Sequence, residues 1–181
     1  MFGKGALSVK VSSRRVLLVF LLTLLGGILL HFLHGWFPNP VTAVFSPVRE
    51  SLWEHVKILY WPYLAAMWYL TRKGERGCRA PWLLALLIMC GGMLTAAWWY
   101  HFKLGGENMA FDIGLYFVTM TVGFLLPRLF RGLAGKGWWS EGLWVLVLLL
   151  GAAILFFTSL TPVGMLFTDL SAVRTWWTIP F

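Results

Sequence analysis

The sequence predicts an all-α protein, a polytopic membrane bundle of five transmembrane helices forming one domain. Three observations predict it. Of 181 residues, 59% are hydrophobic and 12% charged, and mean hydropathy is +0.75, too little polar surface to coat a soluble globule of this size. The apolar residues fall in runs long enough to cross a hydrocarbon core, which takes roughly twenty helical residues. Short basic patches separate the runs, as the positive-inside bias requires.

The first span covers about 16–34. Its basic leader resembles that of a signal peptide, but His31, Phe32, Leu33 and His34 follow where a small-residue cleavage site would stand, so a retained helix is expected. The second span covers about 47–71, starting at Pro47 or Leu52. A start after Lys57 would leave about fourteen residues before Arg72, too few to cross, so Glu50, Glu54, His55 and Lys57 belong to this helix at the depth of one membrane face. The third span covers about 81–101, the fourth 110–127 and the fifth 142–160. The segment 161–181, interrupted by Pro162 and Pro180, is expected to lie on the outer surface as an interfacial segment or lid. No repeat or long linker divides 1–181.

Smaller features fit the same scheme. Tryptophans such as Trp36, Trp98, Trp99 and Trp139 gather near span ends, where an apolar ring with one N–H is at home. Glycines such as Gly26, Gly27 and Gly123 suit close helix packing. Cys78 and Cys90 stand at different depths, too far apart for a disulfide.

Basic residues set the orientation. Lys4, Lys10, Arg14, Arg15, Arg72, Lys73, Arg76, Arg79, Arg128, Arg131 and Lys136 lie on one side, against Arg49, Lys57, Lys103 and Arg174 on the other. The N terminus is therefore expected in the cytoplasm and the C terminus outside. The net charge of +8 implies no nucleic-acid partner, because no basic face adjoins a soluble fold.

That orientation sorts the ionisable groups. His31, His34, His55 and His101 all reach the outer face, together with Glu50, Glu54, Glu107, Asp112 and Asp169. Ionisable side chains at membrane depth need partners that hydrocarbon cannot supply, so they mark a site by default. If the second helix starts at Pro47, with Ser46 as cap, Glu50, Glu54, Lys57 and Trp61 fall within roughly 60° of one another. His55 then points about 100° away from Glu54. One face would carry the ligand-binding group Glu50, Glu54, Lys57 and Trp61, with Asp112 joining from the fourth span. His31, His55, His101 and Glu54 would form a metal set, and their mixed nitrogen and oxygen donors favour zinc or a similar divalent transition ion.

Structural roles account for some of the same residues. Ser51 followed by Glu54 matches a capping box. Carboxylates in a first helical turn suit the helix dipole, and Glu54 or Glu50 could simply pair with Lys57. His34 and His101 could be interfacial imidazoles.

The run NPVTAVFSPVRESLWEHVK, preceded by HFLHGW, resembles the signature of an uncharacterised family of small prokaryotic multi-pass membrane proteins, with an NP pair leading to SPxNESxWEHxK. The matching positions are Asn39, Pro40, Ser46, Pro47, Glu50, Ser51, Trp53, Glu54, His55 and Lys57, while Arg49 replaces the family's asparagine. The resemblance implies a bacterial or archaeal cytoplasmic (inner) membrane and supplies no mechanism.

No HExxH, Walker loop, GxSxG or CxxCH occurs. Two functional readings survive. In the first, an outward-facing His/carboxylate pocket binds or transports a cation, a proton or a small polar solute. In the second, a metal-dependent hydrolase or transferase acts on a lipid-like substrate, with Glu50 or Glu54 as general base. A structural or assembly role is the third. Membrane lipid is the expected partner, and a homo-oligomer would relieve the difficulty of building an alternating-access carrier from five helices without an inverted repeat.

Overall fold

A computed structural model describes residues 12–74, 76–133 and 137–172. Helices account for most of these residues, and no strand occurs among them. Among the described residues, four helices are long and apolar enough to cross a membrane: Ser13–Trp36, Ala80–Lys103, Met109–Leu129 and Trp139–Ser159.

The chain runs through α1 (Ser13–Trp36), the short α2 (Pro40–Phe45), α3 (Leu52–Thr71), α4 (Ala80–Trp98), α5 (Met109–Leu129) and α6 (Gly137–Ser159). A π-turn, Trp99–Lys103, extends α4. Gly105, with φ of 65°, supplies the left-handed conformation that lets the chain turn away from it.

α3 begins at Leu52, not at Pro47. Ser46, expected as its cap, instead closes α2, whose start is set by Asn39 with Pro40 in the first helical position. The Asn39 side chain accepts from the amides of Val41 and Thr42, and the Asn39 amide donates to the Thr42 hydroxyl. Ser51 caps α3, its hydroxyl accepting from the Glu54 amide at 3.3 Å.

α3 forms the centre of the bundle. It is 20 residues long, and twelve of them are buried. It misses the hydropathy of the other four because it carries Glu54, His55, Lys57 and several tryptophans and tyrosines; Glu54, Lys57, Tyr60 and Tyr63 among them are buried. α1 and α6 run antiparallel to it. Along α1, Gly26 meets Pro62 and His31 meets His55. Along α6, Thr158 meets Glu54 and Val147 meets Tyr60.

Tyrosines lock these contacts from one helix to the next. The Tyr60 hydroxyl donates to the Val147 carbonyl, Tyr63 to Gly123 and Tyr116 to Leu24. Each ring stands where a neighbouring glycine has no Cβ: Tyr60 against Gly151, Tyr63 against Gly123 and Tyr116 against Gly27. Pro62 has no N–H to give the Ile58 carbonyl four residues earlier. That carbonyl faces α1 so closely that a Cβ on Gly27 would sit 2.6 Å from it.

Leucines on the outer faces of α1 and α6, among them Leu18, Leu22, Leu148 and Leu149, are exposed, the pattern of helices that meet lipid. The segment after α6 folds back over one end of the bundle. Trp98 donates to the Met165 sulfur, and the Leu170 amide donates to the Glu50 carbonyl.

Candidate functional site

One cavity, of about 660 Å³, collects His31, Glu50, His55, His101, Glu107 and Asp112 on its wall. Glu107 lies in the loop after the π-turn, and four elements supply the others. His31 comes from the end of α1, Glu50 and His55 from the start of α3 and the turn before it, His101 from the π-turn, and Asp112 from the first turn of α5.

His31, Glu50 and His55 form a tight group. Glu50 Oε2 lies 3.3 Å from His55 Nε2, and Glu50 Oε1 lies 3.9 Å from His31 Nε2. The two imidazoles are 5.2 Å apart between ring centroids. One donor atom from each of the three residues falls within 4.8 Å of the others.

The protonation of His55 follows from its other nitrogen. Nδ1 lies 2.8 Å from the Ser51 carbonyl oxygen, which can only accept, so Nδ1 carries the proton. In the neutral ring Nε2 is then a bare lone pair aimed at a carboxylate. Two acceptors 3.3 Å apart require a positive charge between them, either a proton or a metal ion. In His31, Nδ1 is buried without a hydrogen-bond partner and Nε2 is beyond hydrogen-bond reach of Glu50. Its ring is packed against Phe32 and His55 and uncommitted among the described residues.

Glu50 lies before α3 with its side chain half exposed. The hydrogen bond from His55 holds its carboxyl below the ordinary carboxylate value, against the opposing effect of burial, and the charges of His55 and His31 add to the lowering.

Across the cavity, His101 Nδ1 donates to the Gly106 carbonyl at 2.8 Å, and Nε2 lies 2.9 Å from Asp112 Oδ1. The same reasoning leaves one proton shared between Nε2 and the carboxylate. At 2.9 Å this is a hydrogen bond. Tetrahedral ligands about 2.1 Å from a zinc ion stand about 3.4 Å apart. The Glu50–His55 separation suits that edge and the His101–Asp112 separation does not. The loop that positions His101 packs on Tyr100, which stacks on Phe111 at 3.6 Å between centroids.

Glu54 and Lys57 stand elsewhere, and the four-residue face expected with Glu50 and Trp61 does not form. With α3 starting at Leu52, Glu50 lies outside the helix and turns toward the histidines. Glu54 instead makes an ion pair of 2.6 Å with Lys57, both side chains buried. Glu54 also accepts from the Val48 amide and the Thr158 hydroxyl, and the Lys57 ammonium donates to the carbonyls of Ala43 and Ser46. Trp61 donates to the Val44 carbonyl. All three fasten α2 and the following turn to α3, so Glu54 has no place in the metal set. His34 also stands apart from the cavity group: its amide donates to the Ser46 hydroxyl and its Nδ1 contacts the Thr42 hydroxyl. His101 pairs with Asp112 rather than joining His31.

A family model described as a family of unknown function, DUF6512, matches residues 8–175. The chain belongs to that family. Comparison with curated proteins and with solved structures finds no match. The residues expected to form one site thus divide into a buried fastening, Glu54 and Lys57, and a cavity group, Glu50 and His55. The cue that separates them is the pattern Asn39, Pro40, Thr42, a helix start with its own capping residues.

Proposed function

We propose that this chain is a membrane protein that binds one divalent transition-metal ion in its cavity, through His31, Glu50 and His55. The observation that carries the reading is the approach of His55 Nε2 to the Glu50 carboxylate, 3.3 Å, across a gap that only a proton or a metal ion can occupy, with the His31 ring beside them. Two imidazoles and one carboxylate form a borderline-soft set suited to zinc, and three protein ligands leave a fourth position open. The Nδ1–H of His55 donating to Ser51 is the supporting contact that metal-ligating histidines commonly make.

In this reading all five long helices cross the bilayer. α3 is about 30 Å long at 1.5 Å per residue, and its antiparallel contacts with α1 and α6 run through the same depth as theirs. Its buried polar groups face protein, where they are tolerated. The distribution of basic residues supports a cytoplasmic N terminus, a C terminus outside and a cavity at the outer face, and the family resemblance supports a prokaryotic inner membrane. Binding is favoured over a carrier for small polar solutes because most of the cavity wall is hydrocarbon.

Metal analysis of the purified full chain, dialysed against limiting zinc, tests the reading. Wild type should retain one ion per chain, while Glu50→Gln and His55→Ala should lose it or bind at least about tenfold more weakly. Glu54→Gln should keep it. A wild-type protein that emerges metal-free, or retention by both ligand variants, overturns the assignment.

A further inference from the structure

The shape of the cavity carries a second assignment. α1 and α5 close on each other midway along their length, where Phe20 meets Phe124 at 5.3 Å between ring centroids and the Tyr116 hydroxyl donates to the Leu24 carbonyl at 2.8 Å. Beyond that closure, toward His31 and Asp112, the two helices form opposite walls of the cavity. Ile28 and Phe32 line it from α1, and Ile113 and Phe117 from α5, yet they are 37%, 49%, 52% and 41% exposed. Residues that line a cavity while remaining this exposed frame its mouth. The cavity therefore opens sideways, through an apolar flank that faces lipid in a membrane-spanning bundle.

Its contents are divided in the same way. Ionisable groups occupy one end, at the metal ligands and the His101–Asp112 pair, and apolar side chains line the rest. A volume of about 660 Å³ far exceeds one ion with its water, since a water molecule takes about 30 Å³. It falls instead among sites for organic ligands. A divalent ion held by one carboxylate and two neutral imidazoles keeps one net positive charge, which favours an anionic oxygen in the open coordination position.

We propose that the cavity takes a single-chain amphiphile with an anionic oxygen-donor head group, entering from the bilayer between α1 and α5. The head reaches the metal, and the chain lies along the apolar walls. This assignment rests on the metal reading, because the head group fills the position that the three protein ligands leave open.

Alkyl hydroxamates test it, because one metal-binding head can be carried on chains of different length. The full chain, loaded with cobalt(II) and reconstituted in phosphatidylcholine nanodiscs, is titrated with acetohydroxamate and with decanohydroxamate while the visible cobalt spectrum reports ligand entry. Wild type should bind the decyl compound at least about tenfold more tightly. Ile113→Trp and Ile28→Trp each narrow the mouth from one side. Both should weaken decanohydroxamate about tenfold while leaving cobalt content and acetohydroxamate binding as in wild type. Partition of the decyl compound into the nanodisc is common to all samples and cancels in that comparison. Unchanged decyl binding in both tryptophan variants, with cobalt present, overturns the lateral amphiphile site and leaves the metal reading standing. Absence of cobalt from wild type overturns both.

Discussion

At the scale of residues, Lys57 shows why an ionisable group inside an apolar helix need not serve chemistry. Its ammonium is fully buried, yet Glu54 and two backbone carbonyls occupy its donors. Removing one partner of such a pair strands the other without water, at a cost of about 3–5 kcal/mol. Lys57→Met should therefore lower unfolding stability in detergent by about that amount, while the double variant with Glu54→Leu recovers part of the loss. A single variant as stable as wild type would refute the fastening role. Glu50 behaves differently, because its side chain reaches water and its carboxyl is held below the ordinary value chiefly by the His55 hydrogen bond. A depressed carboxyl contributes stability that is fully present above the ordinary value and is lost as pH falls through the lower, folded value. In metal-free protein, infrared titration should place the Glu50 carboxylate midpoint below that of an unpaired glutamate, and His55→Gln should move it upward. No movement would remove His55 as the cause. The sequence made both acids visible as polar groups at one depth. It did not reveal which partner each one meets, because Glu50 and Glu54 are one helical turn apart and only the position of the helix start separates their directions.

At the scale of elements, the short α2 is the feature least legible in the sequence. Its six residues carry no amphipathic period, so Pro47 competed with Leu52 as the start of α3. Capping residues decided the matter, Asn39 for one helix and Ser51 for the other. The long helices were legible because lipid demands uninterrupted apolar runs. Their packing follows from tyrosine and glycine pairs that hydropathy does not display. Gly27 is the tightest of these, since an added Cβ meets both the Tyr116 hydroxyl and the Ile58 backbone, and backbone cannot yield as a side-chain end can. Gly27→Ala should destabilise the folded protein by about 1–3 kcal/mol, read by unfolding in detergent. Tyr60→Phe, which removes one hydrogen bond to Val147, should cost only about 0.6 kcal/mol, as typical of bonds between membrane helices. Equal costs for the two variants would contradict steric closeness as the stronger constraint.

At the scale of the whole molecule, the bundle places polar groups from three long helices and an intervening turn around one cavity and leaves the leucine-rich faces of α1 and α6 outward. The proposed five crossings, with the N terminus in the cytoplasm, predict that a reporter fused after Ala172 is exported, whereas one fused after Lys73 remains inside. An inverted result for both would reverse the side on which the cavity opens. The proposed metal centre is read by X-ray absorption at the zinc edge of the loaded protein. Two imidazole nitrogens at about 2.0–2.1 Å, with oxygen completing the shell, is the expected spectrum, and Glu50→Gln should alter or abolish it. A shell containing sulfur, a shell without imidazole, or a spectrum identical in wild type and Glu50→Gln would contradict binding by His31, Glu50 and His55.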